Sequence, residues 1–151
     1  KGENIFKGYW GMEEKTKESF KDDGFFITGD LAKKDENGYF TIVGRDKDMI
    51  ISGGLNVYPK EIEDVINELP NITESAVFGV QHDDFGEAVV AAVVTTDDKN
   101  DGSQILDYTK DKIAKYKQPK KIIFMSNLPR NSMGKVQKNK LRENNKSLFK
   151  S

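Results

Sequence analysis

The sequence predicts an α+β fold, and three observations carry the prediction. Short aromatic and β-branched runs alternate with segments whose apolar residues recur at helical spacing. Proline or glycine bounds the helical segments. One run, Ala88 to Val94, is apolar at every position, as expected of a central strand covered on both faces. The 151 residues suit one medium domain, or a small domain with an appendage.

In chain order, Phe25 to Thr28 and Tyr39 to Val43 read as two antiparallel strands separated by LAKKDENG, whose Asn37-Gly38 pair signals a hairpin. Gly44 to Asp48 carries charge without apolar periodicity and reads as a connector between two packed units. Met49 to Ser52 is a short strand closed by Gly53-Gly54. Pro59 suits the first turn of a helix, in which Ile62, Val65, Ile66 and Leu69 make one buried face until Pro70 stops it. Ser75 to Val80 and Ala88 to Val94 read as buried strands joined by QHDDFGE, an exposed acidic turn holding His82. Asp101-Gly102-Ser103 offers a turn and helix N-cap, followed at helical spacing by Leu106, Thr109, Ile113 and Tyr116, with Pro119 as the stop. Lys121 to Met125 is a further strand, Leu128 to Lys135 a mobile polar loop, and Val136 to Asn144 a short basic helix. A compact α+β domain is therefore expected from about Asp48 onward.

Composition narrows the chemistry. The chain has no cysteine, which excludes disulfides, thiolate nucleophiles and Cys-based metal sites, and fits a cytoplasmic location. Its single histidine excludes a two-histidine metal site. No apolar run approaches the length that spans a bilayer, and the first residues do not read as a charged-then-apolar leader. The start at Lys1, without an initiator methionine, leads us to expect part of something longer. The net charge of −1 conceals a polarity. Of 24 basic and 25 acidic residues, 13 basic and only Asp111 and Glu143 lie from Lys110 onward, which leaves 11 basic and 23 acidic before it. Such a basic end suits nucleic acid, an anionic small ligand, or the acidic remainder of the same protein.

Three segments hold more glycine and polar residues than packing demands. Asp30, in Thr28-Gly29-Asp30, is placed at a strand end, where it could accept hydrogen bonds from ligand hydroxyls or simply form a turn. In Gly44 to Glu63, Arg45 offers a planar donor fork to hydroxyls or phosphates, and Gly53 and Gly54 allow a backbone to approach a ligand or merely turn the chain. In Pro129 to Lys135, the Lys135 ammonium could reach a phosphate or a developing oxyanion, although the spacing is not that of a Walker A loop. On chemistry alone Lys135 is one of 13 basic residues in its region.

Together and in this order, FFITGDLA, GRDKDMIISGGLNVYPKEIE and PRNSMGKVQKNKLRE resemble the C-terminal part of the acyl-adenylate-forming enzymes, the superfamily of acyl-CoA synthetases, peptide-synthetase adenylation domains and firefly luciferase. The wording is most like malonyl-CoA synthetases and close fatty-acyl-CoA relatives. The resemblance implies a small C-terminal lid domain of mixed sheet flanked by helices at 47–151, preceded at 1–46 by the end of a large N-terminal domain with a β-hairpin. It implies ATP, CoA and Mg2+ as requirements, with the Mg2+ ligand in the missing N-terminal domain. Asp30 and Arg45 would contact the ribose of ATP, Lys47 would be the hinge, and Lys135 the catalytic lysine. Gly53 and Gly54 would form the channel for the CoA pantetheine. Glu61 and Glu63 are expected to be structural, and His82 a bystander. The implied partners are a carboxylic acid, ATP, CoA and the protein's own N-terminal domain, with no nucleic acid and no membrane span. A carrier-protein thiol as acceptor, or a nucleic-acid module using the basic helix, are the alternatives.

Overall fold

The structure, a computed structural model, describes residues 1–97 and 101–150. It divides into two compact units, Lys1–Asp30 and Leu31–Ser151. In the first, helix α1 (Glu13–Ser19) starts with Glu13 and Glu14, whose charge suits the positive helix end. Phe6 gathers Tyr9, Phe20 and Phe26 at ring-centroid distances of 5.1, 5.6 and 5.2 Å, edge-on to Tyr9 and Phe26 and tilted to Phe20. Phe20 and Phe26 pair as an isolated antiparallel bridge.

Strand β1 (Asp30–Lys34) and strand β2 (Phe40–Arg45) form a two-stranded sheet. Its first strand therefore covers DLAKK, not Phe25 to Thr28 as the residue types suggest. The turn decides this. Asp35 Oδ1 accepts the N–H groups of Asn37 (3.0 Å) and Tyr39 (2.8 Å), and a connection this short obliges pairing to begin at Lys34.

The larger sheet comprises β3 (Ile50–Ser52), β4 (Leu55–Val57), β5 (Ile72–His82), β6 (Gly86–Thr95) and β7 (Lys121–Phe124), in the order β4-β3-β6-β5 with β7 also on β6. β5 and β6 form one long antiparallel hairpin from Ile72↔Thr95 to His82↔Gly86. Along its other edge β6 meets β3 at Ser52↔Gly86 and then β7, in parallel, from Val90 to Val93. The all-apolar run is thus the central strand, and the sheet is mixed.

Alternation sends side chains to two cores. Val77, Val89, Ala91 and Val93 pack with Ile62 and Ile66 of helix α2 (Pro59–Ile66) and Ile105 of helix α3 (Ser103–Lys110). Ala76, Phe78, Val90 and Ala92 pack on the opposite face with Leu128 and with Leu141 of helix α4 (Lys138–Asn144). Val65 and Leu69 lie against the first core, as the helical spacing predicts.

Two elements depart from expectation. The Gly53-Gly54 pair does not end a lone strand; it turns β3 into β4, a strand of three residues too short to announce itself. Helix α3 buries Ile105 and Thr109 and leaves Leu106 exposed. It ends at Lys110, well before Pro119, and Tyr116 falls in a separate 3-10 turn, Lys115–Lys117. Lys117 ties that turn to Glu61 of α2, at 2.7 Å to each carboxylate oxygen.

Candidate functional site

Asp30 opens β1 rather than closing the preceding strand, and its N–H donates to Thr28 Oγ1 at 3.1 Å. Arg45 is the last residue of β2, and its carbonyl accepts the Met49 N–H (3.2 Å) across a 3-10 turn, Asp46–Asp48, that holds Lys47. Asp48 accepts from Arg142 Nη2 of α4 at 3.0 Å. Lys47 and Asp48 line, with Val136, Lys138, Asn139 and Arg142, a small cleft of about 140 Å³. The expected hinge segment and the start of the basic helix are therefore neighbours.

Gly53 and Gly54 make a two-residue hairpin turn with φ of +59° and +77°, values that L side chains adopt only under strain. Nothing lies within 4 Å of where either Cβ would be, so backbone conformation, not crowding, requires glycine here. The Gly53 N–H donates to the Phe85 carbonyl at 2.8 Å, which docks the turn on the β5–β6 connection. His82 ends β5 half-buried, 4.7 Å from the Phe85 ring and 5.1 Å from that of Phe149. It packs, instead of standing in an exposed turn, because β5 extends further toward the connection than its apolar residues indicate.

Lys135 sits on a loop that is locally tied. Asn131 Oδ1 accepts the N–H groups of Met133 (3.0 Å) and Lys135 (2.9 Å), the Asn131 N–H donates to the Lys135 carbonyl (2.9 Å), and the Gly134 N–H donates to the Asn131 carbonyl (2.9 Å). Arg130 Nη1 donates to the Gly134 carbonyl at 2.6 Å, while its Nη2 pairs with Glu74 near the start of β5. The motif is the one Asp35 builds in the first hairpin: a short side-chain oxygen caps the backbone two and four residues on. Asn131 and Arg130 were not singled out from the sequence; the Asn two residues ahead of Met133 was the available signal.

Ion pairing separates the cations that sequence alone leaves equivalent. Lys138 binds Glu63 at 2.6 Å, both side chains mostly buried, and Glu63 also accepts the Val77 N–H at 2.7 Å. Arg142 binds Asp48, and Lys146 binds Glu143. Among the described residues no carboxylate lies within ion-pair distance of Lys135 or Lys140, and both are exposed. Glu61 and Glu63 are thus structural, each holding a lysine. Glu61 raises the pKa of Lys117 against the opposing effect of its partial burial. Among the described residues no group of three or more His, Asp or Glu side chains could hold a metal ion. No helix there is long and apolar enough to cross a membrane.

The two loops are far apart. The Lys135 loop is anchored through Arg130 at Glu74, and the Gly53-Gly54 turn beyond the other end of β5, at Phe85. From Glu74 to His82 an extended strand covers about 27 Å, at roughly 3.4 Å per residue. One compact unit thus presents an exposed ammonium at one end and a bare glycine turn at the other.

Residues 61–135 match the AMP-binding enzyme C-terminal domain. ATP-bound MatB from Rhodopseudomonas palustris is similar over 99% of this chain and 30% of its own, with 58% identity and a TM-score of 0.90. Its apo form gives 59% identity and a TM-score of 0.73. The long-chain-fatty-acid–CoA ligase FadD13 of Mycobacterium tuberculosis is 46% identical over 143 residues, 95% of this chain and 28% of that protein. Indoleacetate–CoA ligase of Aromatoleum aromaticum is 42% identical over 144 residues, with the same coverage of 95% and 28%. The chain spans little more than a quarter of the length of these two relatives. With one continuous domain match and a fold shared along its length, the chain belongs to the acyl-adenylate-forming, AMP-binding enzymes and carries their C-terminal domain.

Proposed function

We propose that the chain is the C-terminal part of an ATP-dependent acid–thiol ligase, in which 1–46 end a large upstream domain and 47–151 form a lid that turns about Lys47. The observation that carries this reading is the separation of the Lys135 loop from the Gly53-Gly54 turn. A single active site on another domain can meet one end of the lid or the other, not both. β2 lies against α2 in this conformation, and turning about Lys47 would part that contact. The drop in fit between ATP-bound and apo MatB, from 0.90 to 0.73 at nearly equal identity, is consistent with a counterpart segment that rearranges in MatB.

In the first orientation a substrate carboxylate oxygen attacks the α-phosphorus of ATP, and pyrophosphate leaves with the electron pair of the broken P–O bond. Lys135 stabilises the negative charge that grows on the attacked phosphate, and Asp30 and Arg45 hold the ribose. In the second orientation the CoA sulfur attacks the acyl carbon, the C–O bond to AMP breaks, and the thiol proton passes to solvent. The Gly53-Gly54 turn then lines the thiol's path. Mg2+ would be held by the upstream domain. We propose malonate as the acid, because identity to MatB, a malonyl-CoA synthetase, exceeds that to FadD13, with a fatty acid as the alternative. Nucleic acid is the weaker reading of the basic end, since Lys138 and Arg142 are occupied by Glu63 and Asp48.

The test is release of AMP by the full-length protein with CoA, across malonate, acetate, octanoate and palmitate. CoA-dependent release with one acid supports the reading, and its strength with malonate decides the substrate. Release only with a carrier-protein thiol, or none with any acid, overturns it.

A further inference from the structure

Glu87 has no part in the reading above, yet it holds the glycine turn. In a two-residue hairpin the residues flanking the turn, Ser52 and Leu55, face each other, so the N–H of the preceding Ile51 points out of the hairpin toward β6. β6 pairs with β3 only at Ser52↔Gly86. Beyond that point a side chain replaces the backbone acceptor: the Ile51 N–H donates to Glu87 Oε2 at 2.8 Å. A carboxylate in this position makes a charge-assisted bond, stronger than the ladder bond it replaces.

Gly79 makes room for it. Glycine inside a buried strand weakens the strand and often marks a close approach by another group. A Cβ at Gly79 would lie 2.6 Å from Glu87 Oε1, 2.8 Å from its Cδ and 3.0 Å from Ile50 Cγ2. The missing side chain of β5 is the space that Glu87 fills. Around the Ser52↔Gly86 pairing, the β3–β4 hairpin is thus held to the β5–β6 hairpin by Ile51 through Glu87 and by Gly53 through the Phe85 carbonyl.

We propose that Glu87, lodged over Gly79, is a positioning residue for thioester formation: it sets the angle at which the Gly53-Gly54 turn enters the active site, and it is idle while the Lys135 end is engaged. This rests on the assignment of that turn to the thiol's path. The experiment uses the full-length protein with malonate and octanoate as acids. It compares acid-dependent ATP–pyrophosphate exchange with single-turnover transfer of the acyl group to CoA. Glu87→Ala removes the acceptor, and Gly79→Ala displaces the carboxylate while leaving Glu87 in place. Both should lower the ratio of transfer to exchange about tenfold, and both should speed amide hydrogen exchange at 51–55. Glu87→Gln keeps an acceptor oxygen and should restore the ratio to within about twofold.

A parallel fall of both rates, an unchanged ratio, or unchanged amide exchange in both alanine variants overturns the proposal. Gly54→Ala separates the two levels of inference. If it slows transfer while Glu87→Ala and Gly79→Ala do not, only the role of Glu87 fails. If all three leave transfer untouched, the thiol-path reading fails with it.

Discussion

Asn131→Ala tests whether the loop that presents Lys135 is pre-organised for one half-reaction. The substitution deletes the oxygen that accepts the Met133 and Lys135 N–H groups at 3.0 and 2.9 Å, and leaves the backbone bonds of the turn in place. A net intramolecular hydrogen bond contributes about 0.5–1.5 kcal/mol, and water reaches this exposed loop, so the two bonds together hold it by about 1–2 kcal/mol. At about 1.4 kcal/mol per tenfold, that predicts a 5- to 30-fold fall in acid-dependent ATP–pyrophosphate exchange. Acyl transfer to CoA from preformed acyl-adenylate should change less than threefold, because the proposed second orientation takes Lys135 out of the site. Asn131→Asp keeps the acceptor, as Asp35 does in the first hairpin, and should recover most of the loss. If Asn131→Ala slows both steps equally, or neither, while Lys135→Ala slows exchange, the loop is not held in place for adenylation in the way argued.

Three further outcomes follow from the packing. Arg142→Ala leaves Asp48 without its partner at a half-buried pair, and should lower stability by about 1–3 kcal/mol, read as a drop in Tm that Asp48→Asn in the same chain partly relieves. Leu141→Ala empties a site that is 1% exposed, for a loss of about 2–5 kcal/mol in denaturant unfolding; a loss below 1 kcal/mol would mean α4 is not anchored to the second core. The Lys117 ammonium has its pKa raised by Glu61, so from neutrality up to the ordinary lysine value of 10.5 the pair's contribution is complete, and it disappears as pH rises through the higher folded value. The Tm deficit of Lys117→Met should therefore be constant from neutrality up to about pH 10 and shrink only above about pH 10.5; a deficit that already shrinks between about pH 7 and pH 9 would contradict the linkage.

Much of the fold was legible. Ile62, Val65, Ile66 and Leu69 lie on one face of the helix or its continuation, and Ala88 to Val94 became the central strand, because helical and strand periodicities depend only on neighbours in the chain. Misplacements occurred where a turn or a distant contact overrode residue type. Phe25 to Thr28 look like a strand, yet the Asp35 turn assigns pairing to Asp30–Lys34. Leu106 has the spacing of a core residue, yet α3 turns Ile105 inward. Asn131, Arg130 and Glu87 went unseen because each acts on a backbone group or carboxylate whose position no local pattern records.

By itself the sequence determined the α+β class, the apolar strand at its centre and, through three ordered motifs, the family. These are properties of local periodicity and of residue types at short spacing. The tertiary structure alone decided which of the basic residues remain available. Glu63 and Asp48 take Lys138 and Arg142, the second pair across a separation of 94 residues, and Lys135 is left exposed. It also decided that Glu74 and Phe85, at opposite ends of one hairpin, anchor the two loops, and that Glu87 reaches Ile51 across 36 residues. Such pairings arise only when strands and helices distant in the chain pack together, and they give the same residues two ends from which to work.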